Sequence, residues 1–203
     1  MRVLDLFCGL KGFSQPFKDR GHEVVTVDIL PKFKPSVVAD VRKLSSQSLP
    51  LAGEWDVVLA SPPCEIFSRA RAYQEWPPAP EKERDALGLV ASTLRLVAEL
   101  HPIWWVMENP TGRLRTWIGL PREKIYQCSF GNKFQKPTDL WGRWPGRIRR
   151  PCISHLRTRE SPGGGPGEHV RNPALRAKLP YGLGEELCKR MEAAQPGGKS
   201  ERT

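Results

Sequence analysis

A thiol set behind two prolines is the most reactive prospect in this chain. Cys64 stands in the run Ala60-Ser61-Pro62-Pro63-Cys64-Glu65-Ile66-Phe67-Ser68. Two prolines remove two backbone donors and restrict φ, so the sulfur projects from a stiff turn. A nearby cation or helix N-terminus would raise its thiolate fraction and make it a nucleophile. A cysteine that only packs a core has no need of Pro-Pro ahead of it. Cys8, Cys128 and Cys188 read as packing cysteines of that kind. A carboxylate accompanies the thiol. Glu108 closes the apolar run Trp104-Trp105-Val106-Met107 and precedes Asn109-Pro110. Partial burial there would raise its pKa and let it act as hydrogen-bond donor or acid near neutral pH. Taken alone, Glu108 could equally be the N-cap of a helix over 112–117.

A third group lies near the start, in Asp5-Leu6-Phe7-Cys8-Gly9-Leu10-Lys11-Gly12-Phe13-Ser14. A strand, a turn with glycines and a helix allow backbone amides to approach a cofactor. Asp28 ends the next predicted strand, where an acidic side chain can accept both hydroxyls of a ribose. Asp40 ends the third and could reach an adenine amino group. Each aspartate by itself is equally a loop carboxylate or an N-cap.

The elements that must position these groups follow from hydrophobic spacing. Strands are predicted at 3–7, 23–27, 36–39, 56–60 and 103–107, with another at 123–130 and an edge strand at 138–144. Helices are predicted over 13–20, 81–100 and 185–194; Gly21 stops the first. This alternation predicts an α/β fold, mostly parallel with an antiparallel edge strand. Cys64, Glu108 and the glycine turn then share the carboxyl edge of the sheet, where such folds bind ligands. Residues 1–194 read as a single domain. The segment 144–173 is a basic loop rich in Pro, Gly and Arg, and 195–203 reads as a disordered tail.

With 203 residues and a net charge of +10, the chain favours polyanionic partners. Arg143, Arg147, Arg149, Arg150, Arg157 and Arg159 cluster near Trp141 and Trp144, a combination suited to phosphate contact and base stacking. Mean hydropathy is −0.47 and no apolar run could span a bilayer, so no membrane partner is expected. The first residues show no signal-peptide pattern, from which a cytoplasmic protein with reduced thiols is expected. Cys152 and His155, with Cys128 or His169, fit no standard zinc spacing, and no metal is expected.

In their order, DLFCG…GFS, PPC…FS and ENP resemble the DNA (cytosine-5) methyltransferases, most closely the short phage-type members with Glu-Asn-Pro. The likeness runs from Val3 to about Pro145 and again from Arg176 to Ala194. It implies the Rossmann-like sheet of class I S-adenosylmethionine-dependent methyltransferases. It also implies S-adenosyl-L-methionine as cofactor, with Phe7, Gly9 and Gly12 at its methionine end, Asp28 at the ribose and Asp40 at the adenine. Asp5, Cys8, Phe13, Ile29, Val41 and Pro62 complete the implied cofactor set. Cys64 would add to cytosine C6 and Glu108 would grip N3 and the exocyclic amine. The implied partner is DNA, duplex ahead of single-stranded, in a bacterial cell or phage-infected host. Ser68 would touch it, a specificity partner would be compatible, and a monomer is expected.

The sequence departs from the family pattern in four places. Lys11 replaces a glycine and Glu65 replaces a glutamine. The Gln-x-Arg-x-Arg strand reads Gln127-Cys128-Ser129-Phe130-Gly131, without either arginine. The 144–173 loop stands in place of a target-recognition domain. Another cation must then help the base react, and Arg69 and Arg71 are the candidates. Cytosine C5 methylation of RNA, amino-methylation suggested by Ser61-Pro62-Pro63, and an inactive nucleic-acid binder remain as alternatives.

Overall fold

The computed structural model describes residues 1–50, 54–68, 78–132, 135–148, 150–151 and 177–195. A seven-stranded sheet forms its centre. The strands are β1 (Arg2–Leu6), β2 (Glu23–Asp28), β3 (Val37–Val38), β4 (Val57–Ala60), β5 (Trp104–Pro110), β6 (Glu123–Tyr126) and β7 (Pro137–Arg143). They lie in the order β3-β2-β1-β4-β5-β7-β6. Every pair from β3 across to β5 is parallel. Strand β7 runs antiparallel to both β5 and β6. The α/β, mostly parallel architecture is the expected one. The antiparallel strand sits one place in from the edge, because β6 pairs outside it.

Among the described residues, the sheet is covered by α1 (Gln15–Asp19), α2 (Pro80–Leu100), α3 (Leu114–Ile118) and α4 (Tyr181–Ala193). Alternation along each strand divides the core. Leu4, Leu6, Val58, Ala60 and Met107 join Val90 and Leu96 of α2. Val3, Val57, Leu59, Val106 and Leu140 join Phe17 of α1 and Leu183 and Leu187 of α4. The central strands are buried on both faces, which is why they read as unbroken apolar runs.

Two boundaries moved by four residues, each for a local reason. The strand expected to reach Phe130 stops at Tyr126, and Gln127–Phe130 forms a 3-10 turn. Gln127 is fully buried; its amide donates to Thr138 Oγ1 at 3.0 Å and its carbonyl oxygen accepts from Asn132 at 2.9 Å. These side-chain bonds replace a strand ladder. The last helix begins at Tyr181, four residues early, despite two glycines. A Cβ at Gly184 would stand 2.3 Å from the Phe13 carbonyl oxygen, so close packing selects glycine there.

Helix α4 is also fastened to the chain start. Glu192 accepts from the Arg20 guanidinium at 2.5 to 3.1 Å and meets His22 Nε2 at 2.9 Å. The Met1 ammonium lies 3.2 Å from the other His22 ring nitrogen.

Candidate active site at the carboxyl edge of the sheet

The connections from β1 lead to one side of the sheet and those from β4 to the other. The crevice between their carboxyl ends is where open α/β sheets hold ligands.

Strand β4 delivers the thiol. Beyond it Pro62 is buried, Pro63 exposed and Cys64 half-buried. The Cys64 carbonyl accepts from the amides of Phe67 (3.1 Å) and Ser68 (2.8 Å), curling the chain into a tight turn. Buried Phe67 and a bridge between Ser68 and Gly112 pin that turn. A Cβ on Gly112 would stand 2.0 Å from the Phe67 carbonyl oxygen, so glycine alone admits this approach. Asn109 Nδ2 donates to the Pro62 carbonyl at 3.0 Å in a buried setting. The Glu-Asn-Pro strand thus holds the Pro-Pro-Cys loop directly.

Glu108 lies within β5, opposite Leu140 of β7. The N-cap of α3 is Arg113, so Glu108 caps no helix. It is 5% exposed, and its Oε1 has no hydrogen-bond partner among the described residues. Burial raises its pKa to about 7; the Lys136 charge opposes this and Asp139 adds to it. Burial and then the Glu108 charge raise the Cys64 pKa as well, again against Lys136. Asp139, fully buried, is held by Arg115 at 2.5 and 2.6 Å and by the Thr111 hydroxyl at 2.8 Å.

At the neighbouring strand ends, Phe7 (φ 59) and Gly9 (φ 46) adopt left-handed conformations. Asp28 is buried and accepts from the amides of Gly9 and Leu30, each at 2.9 Å. Asp5, also buried, accepts from the Ser14 hydroxyl at 2.5 Å. Burial raises its pKa to about 7 against that hydrogen bond. The Cys8 thiol is pushed up to about 12 by burial and the nearby aspartates, which marks it as a packing group. Phe13 and Val41 are buried, whereas Leu10, Ile29 and Leu30 form an exposed apolar rim. A Cβ on Gly12 would stand 2.2 Å from the Leu179 carbonyl oxygen, so this glycine serves the approach of the chain before α4. Asp40 caps the turn Val41–Lys43 and is paired with Arg42, which lowers its pKa.

The basic cluster is dispersed. Strand β7 runs away from the carboxyl edge, so Arg143 pairs with Trp105 and donates to the Pro102 carbonyl at 2.8 Å. Trp141 and Trp144 are buried, and Arg122 stacks 4.3 Å from the Trp144 ring centre. The two tryptophans therefore belong to the core and offer no platform to a base. Arg147 is exposed, and Arg150 is paired with Glu186 at 2.7 Å. Arg69, Arg71, Arg149, Arg157 and Arg159 lie outside the described residues, as do Cys152, His155, His169 and most of the 144–173 and 195–203 segments. Cys8, Cys64 and Cys188 are free thiols; Cys128 is disulfide-bonded, contrary to the expectation of reduced thiols throughout. The cation that sequence reasoning missed is Lys136, in Lys136-Pro137-Thr138 at the start of β7. Its signal was a lysine opening a strand that pairs with the Glu108 strand.

Sheet order and edge chemistry first define a class: a class I methyltransferase sheet with a thiol and a buried carboxyl at the carboxyl ends of two neighbouring strands. Residues 1–116 match the model of the C-5 cytosine-specific DNA methylase family, and the chain belongs to that family. The family reading of the three motifs is thereby borne out. A relative from Frog virus 3 (isolate Goorha), named "Probable DNA (cytosine-5)-methyltransferase", is 29% identical over 184 residues, covering 84% of this chain and 85% of that protein. The Entamoeba histolytica methyltransferase EhMeth superposes with a TM-score of 0.50 at 14% identity, over 74% of this chain and 56% of its own. A prophage-encoded E. coli protein, described as a DNA modification methyltransferase, gives 0.50 at 20% identity, over 70% and 46%. These two likenesses show the fold. The chain spans about half the length of those solved structures. Among the described residues, no helix is long and apolar enough to cross a membrane.

Proposed function

We propose that this chain methylates C5 of cytosine in DNA through a covalent bond to Cys64. The observation that carries the reading is the Asn109–Pro62 hydrogen bond. It fixes a half-buried thiol beside a buried glutamate with an oxygen that no described residue partners. Leaving a buried polar atom unpaired costs about 1–3 kcal/mol, so such an atom calls for an explanation. A pyrimidine edge provides one here.

Cytosine C5 is too weak a nucleophile to be alkylated unaided. Attack of the Cys64 thiolate at C6 forms an S–C6 bond and pushes the ring π electrons toward C5 and N3. Glu108, poised near pH 7, exists in both protonation states at neutral pH. Its protonated oxygen donates to N3 as charge develops, and its other oxygen accepts from the exocyclic amine. The nucleophilic C5 is then alkylated. Loss of the C5 proton restores the double bond, the S–C6 bond breaks, and the thiolate is released. A base within a duplex must first leave the stack, at a cost of a few kcal/mol. The net charge of +10 supports a polyanionic substrate.

S-adenosylmethionine, when bound, supplies the methyl group. The residues present fit it: a flat apolar base suits the exposed Leu10, Ile29 and Leu30 rim, and a ribose suits the adjacent Asp28 carboxylate. Phe7 and Gly9 shape the turn at the methionine end. Val41 borders the adenine, and an Asp40 contact there requires Arg42 to release that carboxylate.

The test is a duplex carrying 5-fluorocytosine, whose adduct cannot lose a proton from C5. With cofactor, the protein should form an SDS-resistant complex that Cys64→Ser does not form. Parallel methyl-transfer assays on duplex DNA, single-stranded DNA and tRNA should favour the duplex. No adduct with the fluorinated duplex and no methyl transfer to any of the three would leave a nucleic-acid binder and end the enzymatic reading.

A further inference from the structure

We propose that Lys136 is the cation of this active site, a positioning residue whose ammonium favours the Cys64 thiolate and the ionised form of Glu108. The inference rests on the proposed role of Cys64 and supplies the charge that the missing arginines leave open.

Strand register is the first ground. Glu108 pairs with Leu140 and Pro110 pairs with Thr138 across β5 and β7. Directly paired residues in antiparallel strands share a face, and the face repeats every second residue. Lys136 precedes Thr138 by two, on the side of the pairing where β7 begins. The Gln127 amide donates to its carbonyl at 3.0 Å, which continues the β6–β7 pairing back to Lys136. The Thr111 amide likewise donates to the Pro137 carbonyl at 3.0 Å. Gly112 follows, and it bridges to Ser68 at the end of the Cys64 turn. The register therefore runs from Lys136 across the Glu108 strand to the thiol loop.

Electrostatics is the second ground. Among the described residues, the charges acting on Cys64 are Glu108, Lys136 and Glu65. Those acting on Glu108 are Lys136 and Asp139, the latter already paired with Arg115. Both carboxylates near the thiol oppose its ionisation. Lys136 is the cation that acts on both reactive groups among the described residues. A cation in that place favours a thiolate next to a carboxylate, which would otherwise repel it.

The decisive experiment reads Cys64 alone. The rate of Cys64 carboxamidomethylation by iodoacetamide is followed against pH by peptide mass spectrometry, on the full chain without DNA or cofactor. Lys136→Gln and Lys136→Met should move the midpoint to higher pH. Alkylation near neutrality should then slow by roughly tenfold for every pH unit the midpoint moves. Lys136→Arg should restore the parent profile. Melting curves identify any variant that has lost its fold, and the other neutral variant then carries the comparison. Unchanged profiles in the neutral variants would overturn the proposal. So would an upward move in Lys136→Arg equal to theirs, which would indicate packing in place of charge. A parent chain that traps no 5-fluorocytosine yet shows the Lys136 effect would end the methylation reading and leave this one standing.

Discussion

Two clusters in this protein use nearly the same residues to opposite ends. One joins Cys188 and Glu192 to Arg20 and His22; the other sets Cys64 and Glu108 under the influence of the Lys136 charge. In the first, Oε1 and Oε2 of the glutamate are both engaged by Arg20, and Oε1 also meets His22. Its pKa is lowered, chiefly by the Arg20 hydrogen bond. The His22, Cys188 and Glu192 ligand atoms lie within 4.8 Å of one another, yet the carboxylate is already neutralised by a guanidinium. In the second, a buried glutamate keeps an oxygen unpartnered among the described residues and its pKa rises to about 7. Residue types therefore do not separate a fastening from a reactive site. Completion of the hydrogen bonds does.

Substitution of the two cysteines probes the contrast at its widest. Cys64→Ser should lower methyl transfer by on the order of a thousandfold or more, because an alcohol is a far weaker nucleophile than a thiolate. Cys188→Ser should leave transfer per folded molecule within about twofold while lowering stability by about 1–3 kcal/mol, since a hydroxyl enters a fully buried position. Rates from radiolabelled methyl transfer and urea unfolding read the two separately. Equal losses of activity in both would dissolve the distinction.

The glutamates sharpen it. Glu108→Gln should cost roughly a hundredfold in transfer, because an amide cannot pass a proton at N3. Its stability near pH 8 should hold or rise, as it removes a charge from a buried place. Glu192→Gln should do the reverse, lowering stability by about 1–2 kcal/mol through lost bonds to Arg20 and His22. Thermal melts beside initial rates decide this. A destabilised Glu108→Gln at alkaline pH would mean that its carboxylate is held by partners after all.

Much of this frame was legible in sequence for identifiable reasons. The strands carrying Asp5, Asp28 and Cys64 are buried on both faces and advertise themselves as apolar runs. Pro62-Pro63 announced a stiff loop, and Glu108 stood at the end of a run too apolar to leave it solvated. What stayed hidden depends on pairing across long separations. Lys136 enters the site only because β7 folds back against β5. Arg143 leaves it for the same reason, carried by that strand to the opposite edge. Trp144 looked like a stacking surface until Arg122 and the core covered it. Gly12 reads in sequence as a cofactor glycine; that its missing Cβ also makes room for Leu179 could not be read there.

The smallest expected effect follows from protons. Glu108 and Asp5 each titrate near 7 in the folded chain, against ordinary values of 4.5 and 3.8. The folded state thus binds more protons than the unfolded state at mildly acid and neutral pH, and stability falls as pH rises through about 7 and flattens near pH 8; above the ordinary thiol value of 9.0 the raised Cys8 and Cys188 thiols lower it again. Glu192 and Asp40, with lowered values, lend stability that disappears only at acid pH. His22, lowered chiefly by burial, opposes the trend below its ordinary value of 6.5. Between about pH 6.5 and pH 8 the two raised carboxyls therefore dominate, and each should remove about 1 kcal/mol of stability across that interval. Glu108→Gln and Asp5→Asn should each flatten the slope by about half, and the double variant should abolish it. Chemical unfolding at a series of pH values provides the measurement. A flat profile in the parent chain would mean that both carboxyls stay ionised, and the contrast between the satisfied and unsatisfied glutamates would lose its physical basis.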